Sequence, residues 1–69
     1  MSEHFVAVVD NRGSDDHPFG FVYLNDKRIM FSETGLSLSW GKPTREEYSA
    51  MIQALKQEKW VDLIKMELI

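Results

Sequence analysis

The stretch that decides the fold is residues 41–58, which read GKPTREEYSAMIQALKQE. Pro43 precedes Thr44, and Glu47 follows Thr44 by three positions, which is the spacing of a capping box at a helix N-terminus. Four apolar residues then recur at the spacing of one helical face: Tyr48, Met51, Ile52 and Leu55. The pattern predicts an amphipathic helix whose apolar face needs a partner.

The beginning of the chain predicts a strand and an exposed loop. Residues 4–9, HFVAVV, are apolar at nearly every position, which favours a central strand that is covered on both sides. Residues 10–18, DNRGSDDHP, are rich in turn-forming residues and predict an acidic loop. Its carboxylates do not follow the spacing of a calcium-binding loop, so we interpret it as a solvated loop.

A hairpin and a further strand are predicted between this loop and the helix. The β-prone runs 19–24 and 27–32 are separated by Asn25 and Asp26, residues that tolerate the backbone of a tight turn. After a second turn, residues 36–40 alternate strictly between apolar residues and serine. Because side chains alternate across a strand, the apolar ones share one face: Leu36, Leu38 and Trp40.

The C-terminal segment, residues 61–69, fits two patterns. Alternation in its second half is typical of a strand with one wet face, whereas the spacing of its apolar residues also fits a continued helix. We favour a closing strand from about Val61, because a helix of about 25 residues is long for so small a domain. The predicted fold class is α+β, a small antiparallel sheet of three to five strands with one amphipathic helix packed on one face.

Length and composition predict one domain spanning residues 1–69. A chain this short buries only about 60% of the surface that its unfolded form exposes, so the core is thin. The sequence contains no cysteine, which excludes a disulfide framework and a cysteine-based metal site. We identify no signal-peptide pattern and no run approaching the roughly 20 apolar residues of a membrane span, so we expect a cytoplasmic protein without membrane contact.

The sequence predicts no catalytic residue, cofactor or metal ion. The two acidic pairs, Asp15 with Asp16 and Glu46 with Glu47, are neighbours in sequence, so their side chains point in different directions instead of converging on one substrate atom. No nucleophile elbow and no glycine-rich phosphate loop is present. We therefore expect a protein that is not an enzyme.

Aromatic residues are concentrated in the predicted strands: Phe19, Phe21, Tyr23, Phe31 and Trp40. Aromatic side chains on adjacent strands can stack single-stranded bases, but such platforms normally lie in a basic groove. This chain is acidic, with a net charge of −3. We therefore expect most of these rings to form the core, and we leave open whether Trp40 fills the core or anchors a partner.

Two segments together resemble a family of very small phage inhibitors of uracil-DNA glycosylase. These are residues 35–39, GLSLS, which lead into the helix, and residues 62–68, DLIKMEL. The hairpin at Asn25 and Asp26 falls in a comparable place, and Trp40 is the counterpart of an aromatic position in that family. The resemblance implies a non-enzymatic, acidic dimer that imitates DNA and occupies the DNA-binding groove of the enzyme.

These observations predict a small intracellular binding protein, encoded by a phage or a mobile element, that blocks a functional surface of a host protein such as a nucleic-acid-processing or defence enzyme. We expect that surface to be basic, and the candidate partner-binding residues are Asp15, Asp16, Trp40, Glu46 and Glu47. One alternative is a single-stranded nucleic-acid-binding domain that uses the aromatic strand faces with Lys27 and Arg28. Nucleic acid is the less expected partner because the basic residues are spread along the chain. A homodimer with a structural role is a further alternative.

Overall fold

A four-stranded antiparallel sheet forms most of the molecule, in a computed structural model that describes residues 6–69. The strands lie side by side in sequence order: β1 (Val8–Asn11), β2 (Gly20–Leu24), β3 (Lys27–Ser32) and β4 (Gly35–Trp40). One helix, α1 (Arg45–Lys56), follows, and a short 3-10 helix spans Val61–Leu63. The predicted α+β fold class, with one helix on a small antiparallel sheet, is confirmed.

Helix α1 begins where the sequence predicts. The Thr44 hydroxyl accepts a hydrogen bond from the Glu47 N–H at 3.1 Å, and the Glu47 carboxylate accepts one from the Thr44 N–H at 2.9 Å, which completes the capping box. Met51 and Leu55 are fully buried. Tyr48 and Ile52 are half-buried against the core, so the predicted stripe faces the sheet but its centre is rotated toward Glu47.

The core lies between one face of the sheet and two covering segments. Helix α1 contacts β1 and β2. The chain after the helix covers β3, where the rings of Phe31 and Trp60 stack with centroids 5.3 Å apart. The buried apolar residues come from both layers: Val22, Leu24, Ile29, Phe31, Leu36, Met51, Leu55, Trp60 and Ile64.

The C-terminal segment departs from the predicted closing strand. Residues 61–63 form the 3-10 helix, and the extended tail pairs with β4 at a single parallel bridge between Leu36 and Leu68. Two backbone hydrogen bonds of 2.8 Å hold the bridge. A strand through this segment would place Asp62 on the same face as Trp60 and Ile64, whereas the short helix leaves Asp62 exposed while Trp60 and Ile64 are buried.

The first strand is also placed differently from the prediction. His4 and Phe5 lie outside the described residues, and β1 runs from Val8 to Asn11 at the edge of the sheet instead of at its centre. Strand β1 therefore includes Asp10 and Asn11, which the sequence predicts to lie in the acidic loop. A meander of consecutive hairpins leaves its first strand at the edge, and one face of that strand remains open to solvent.

A β-bulge changes the face on which Trp40 lies. Leu38 pairs with Ile29, but Trp40 pairs with Arg28, so β4 contains one extra residue, Ser39, at this point. Directly opposed residues share a face, and Arg28 lies on the face away from the helix. The prediction that Leu36, Leu38 and Trp40 share one face is therefore wrong for Trp40.

No helix within residues 6–69 is long and apolar enough to cross a lipid bilayer.

Candidate binding face

The side of the sheet away from α1 is covered by no other element of the described chain. The strand register assigns to it the alternate residues of each strand. We call this surface the outer face; it comprises Val8, Asp10, Phe21, Tyr23, Arg28, Met30, Ser37 and Trp40. Three of its eight side chains are aromatic and one is a methionine, a composition unusual for a surface that faces only water.

Arginine and aromatic side chains are stacked at the middle of the outer face. The rings of Phe21 and Tyr23 are 6.1 Å apart between centroids and tilted by 43°. The guanidinium carbons of Arg28 and Arg12 lie 4.9 and 5.2 Å from the Phe21 centroid. These are cation–π distances, so the ring orients both guanidinium groups.

A shallow groove of about 390 Å³ lies at the end of the outer face nearest the β2–β3 turn. Tyr23, Arg28 and Trp40 line it, together with the turn residues 25–27. Trp40 is 66% exposed, so most of its indole surface is open to solvent. The groove presents flat aromatic rings and one guanidinium group, which can stack on another flat group or receive a side chain of a partner.

Most positive charge near the outer face is matched by nearby carboxylates. Arg12 Nε donates to Asp10 Oδ2 at 3.1 Å, and this contact raises the pKa of Arg12. Lys27 Nζ lies 2.9 Å from Glu47 Oε1. Arg28 donates to the Ser39 hydroxyl at 3.1 Å and forms no ion pair within residues 6–69. The face is therefore close to electrically neutral.

The sequence predicts that Glu47 is an exposed carboxylate that binds a partner, but the prediction of its exposure is wrong. The residue is 5% exposed and lies between the helix start and the hairpin turn. Hydrogen bonds from the Thr44 N–H and from Lys27 lower the pKa of Glu47 from 4.5 to about 2. Its carboxylate is charged and bound inside the protein, so it stabilises the fold and cannot meet a partner.

The other predicted site residues lie at different ends of the molecule. Asp15 and Asp16 are exposed in the β1–β2 loop, where Asp15 Oδ2 lies 2.7 Å from Lys59 Nζ and raises the pKa of that lysine. Glu46 is exposed in the first turn of α1, at the opposite end of the sheet. Trp40 is near this second end but on the outer face. The predicted residues therefore do not form one surface.

The expectation that most strand aromatics fill the core is wrong. Phe31 is buried, but Phe21 and Tyr23 are half-buried on the outer face, and Phe19 and Trp40 are exposed. Apart from Phe31 and Trp60, the buried core residues are aliphatic side chains and Met51.

Sequence reasoning missed Arg12 and Met30 as surface residues that accompany these rings. The signal was present in β2, where Phe21 and Tyr23 alternate with Val22 and Leu24. Both sets are apolar, so the alternation alone could not show which set faced the helix.

Within residues 6–69, no group of three or more histidine, aspartate or glutamate side chains is arranged to hold a metal ion. His17 Nδ1 lies 3.4 Å from Glu33 Oε1, in an exposed contact between the β1–β2 loop and the β3–β4 turn.

Comparisons with protein-family models, with curated proteins and with solved structures find no match to this chain.

Proposed function

We propose that the chain is a binding protein whose outer face docks on a larger protein and covers a functional surface of it. The observation that carries this proposal is the uncovered sheet face formed by Phe21, Tyr23, Arg28, Met30 and Trp40. Aromatic residues, methionine and arginine are the residue types enriched at protein interfaces. Tryptophan, tyrosine and arginine also supply most binding hot spots, so Trp40 with its neighbours is the expected anchor.

The electrostatics of the chain support a partner with a basic surface. The net charge is −3, and Asp16 and Glu46 are exposed on either end of the sheet. The outer face carries one carboxylate, Asp10, and one guanidinium group, Arg28, so it is near neutral, and the exposed acidic groups at the two ends of the sheet favour a basic surface. We expect the association rate with such a partner to fall as the salt concentration rises.

Enzymes that act on nucleic acid form one class of partner that fits these properties. Their substrate-binding surfaces are basic because they must hold a polyanion. An acidic protein that covers such a surface would act as an inhibitor by occlusion. We therefore propose that the chain is a phage-encoded inhibitor and that its partner is a nucleic-acid-processing or defence enzyme of the host.

Quantitative affinity capture tests this function. Tagged wild-type protein is compared with Trp40→Ala and with Leu63→Ala, a matched control that truncates an exposed apolar side chain on the 3-10 helix. We expect wild type and the Leu63 variant to enrich the same host protein, and Trp40→Ala to lose it by about tenfold or more, as for a hot-spot residue. Equal capture by all three proteins, or no protein partner at low salt, would contradict the proposal.

A second candidate function is favoured by one specific observation. Phe21, Tyr23 and Trp40 lie on an uncovered sheet face beside Arg28, which is how small domains stack single-stranded bases. Titration of a fluorescein-labelled oligothymidine at low salt decides it. Binding that weakens with salt and with Trp40→Ala would favour this function, whereas no binding at low salt would eliminate it.

A further inference from the structure

A second groove opens on the helix side of the sheet, between the free edge of β4 and the start of α1. Its volume is about 350 Å³, and its apolar walls are formed by Leu38, Pro43, Tyr48 and Leu68. Leu38 is 48% exposed and Leu68 is 55% exposed. Two half-exposed leucines in one concave site leave room for an additional apolar side chain.

The charges at this groove are positive, in contrast to the chain as a whole. Lys42 and Arg45 line it, and no carboxylate does. Within the described part of the chain, neither Lys42 nor Arg45 forms an ion pair. The groove is therefore complementary to an apolar group that is accompanied by negative charge.

The backbone edge beside the groove is open. The Leu36 N–H donates to the Glu67 carbonyl, and the Leu36 carbonyl accepts from the Ile69 N–H, both at 2.8 Å. Backbone groups of a strand alternate in direction, so the N–H and C=O of Leu38 point to the same edge as those of Leu36. Within residues 6–69, pairing on this edge consists of one bridge, at Leu36. Leu38 is therefore available to an added strand.

We propose that this groove binds an extended, acidic segment of a second protein. The backbone of the segment pairs with Leu38, and one of its apolar side chains lies between Leu38, Tyr48 and Leu68. Its carboxylates meet Lys42 and Arg45. The groove is on the opposite side of the sheet from the outer face, so this inference does not depend on the proposed function.

A second copy of the chain fits the edge less well than such a segment. Antiparallel pairing of two β4 strands about Leu38 would place residue 40 of one copy opposite Leu36 of the other. That position is already occupied by Leu68. One end of a separate segment can pair with Leu38 without extending to Leu36, so it avoids this clash.

Peptide binding measured by fluorescence anisotropy tests the proposal. The probe is a fluorescein-labelled heptapeptide in which leucine alternates with glutamate, and the matched peptide has lysine in place of glutamate. We expect wild-type protein to bind the acidic peptide saturably and at least about tenfold more tightly than the basic one, because only the acidic peptide complements the rim.

Two double variants locate the binding. Lys42→Glu with Arg45→Glu should weaken binding of the acidic peptide by about tenfold or more, since two attractive charges become repulsive. Lys56→Glu with Lys59→Glu makes the same change in net charge at the last residue of α1 and just after it. This variant should leave the affinity within about twofold. Leu63→Ala, at an exposed residue of the 3-10 helix, should also leave it unchanged. Circular dichroism and thermal unfolding confirm that each variant is folded.

Four results would overturn the proposal: no binding of the acidic peptide, equal affinity for both peptides, equal loss in the two double variants, or loss in Leu63→Ala. Sedimentation of the wild-type protein provides a further test. A dimer that the Lys42 and Arg45 variant dissociates would assign the groove to a second copy and would also contradict the proposal.

Discussion

Glu47 connects three parts of the molecule through one side chain. Its carboxylate accepts hydrogen bonds from the Thr44 N–H at 2.9 Å, from Lys27 Nζ at 3.0 Å and from Asn25 Nδ2 at 3.5 Å. The same residue thereby caps α1 and fastens the β2–β3 turn to it. A buried carboxylate with several donors is stabilising only while it is charged.

Replacing Glu47 by glutamine should show this charge as a change in pH dependence. The pKa of Glu47 is lowered to about 2 in the folded protein. The contribution of this carboxylate to stability is therefore complete above pH 4.5 and is lost as the pH falls toward 2. Glutamine retains the capping geometry but carries no charge. In urea unfolding, Glu47→Gln should be less stable than wild type at pH 7, and the difference should shrink between pH 4.5 and 2.

The control for this measurement is Glu46→Gln, which changes an exposed carboxylate in the same turn. This variant should unfold at nearly the same urea concentration as the wild type at every pH between 2 and 7. Stability curves for wild type and Glu47→Gln that remain parallel down to pH 2 would show that the charge of Glu47 does not contribute.

A separate prediction concerns Asn25, in the turn of the β2–β3 hairpin. Its φ is 55°, in the left-handed region, which costs most residues with a Cβ about 1 kcal/mol but costs asparagine less, because its short polar side chain can hydrogen-bond locally. Asn25→Ala should therefore destabilise the protein by about 1 kcal/mol, because alanine tolerates this conformation less well than asparagine. Asn25→Gly removes the same amide group but keeps the turn, so it should be the more stable variant. An alanine variant as stable as wild type would contradict this account.

Among the elements, helix α1 depends most on its cap. Twelve residues are too few for a helix that is stable by itself, so the capping box and the buried face must act together. Thr44→Ala should reduce the free energy of unfolding by about 1 kcal/mol, whereas Thr44→Ser, which keeps the hydroxyl, should retain most of it. Chemical unfolding of both variants checks this. An equal loss in the two would show that the hydroxyl is not the stabilising group.

The elements that the sequence predicts well are those fixed by neighbouring residues. Thr44 and Glu47 specify the helix start, and the turn at Asn25 specifies the hairpin, because each interaction spans a few positions. The prediction for the C-terminal segment failed for the opposite reason. Its shape depends on how Trp60 meets Phe31, a contact between residues distant in sequence.

The binding face was predictable only in part. The sequence leaves open whether Trp40 fills the core or anchors a partner, and the structure exposes it through a bulge at Ser39 that no residue pattern predicts. The acidic candidates Asp15, Asp16, Glu46 and Glu47 are predicted from the sequence to be exposed and to bind the same partner. The fold instead separates Asp15 from Glu46 and buries Glu47, because strand order, not sequence distance, decides which residues meet.

The whole molecule is a sheet with two different sides. One side is closed by α1 and by the segment around Trp60, and the other presents Tyr23, Arg28 and Trp40 to solvent. A chain with so thin a core would gain stability by burying these rings, so leaving them uncovered is consistent with a role in binding.

Trp40 is open on the outer face while Trp60 closes the core, and acrylamide quenching of tryptophan fluorescence measures this difference. Trp60→Phe leaves Trp40 as the single emitter, and Trp40→Phe leaves Trp60. We predict that Trp40 emits at long wavelength and is quenched almost as readily as free tryptophan, and that Trp60 emits at shorter wavelength and is protected. Equal protection of the two, or protection of Trp40 alone, would contradict the account.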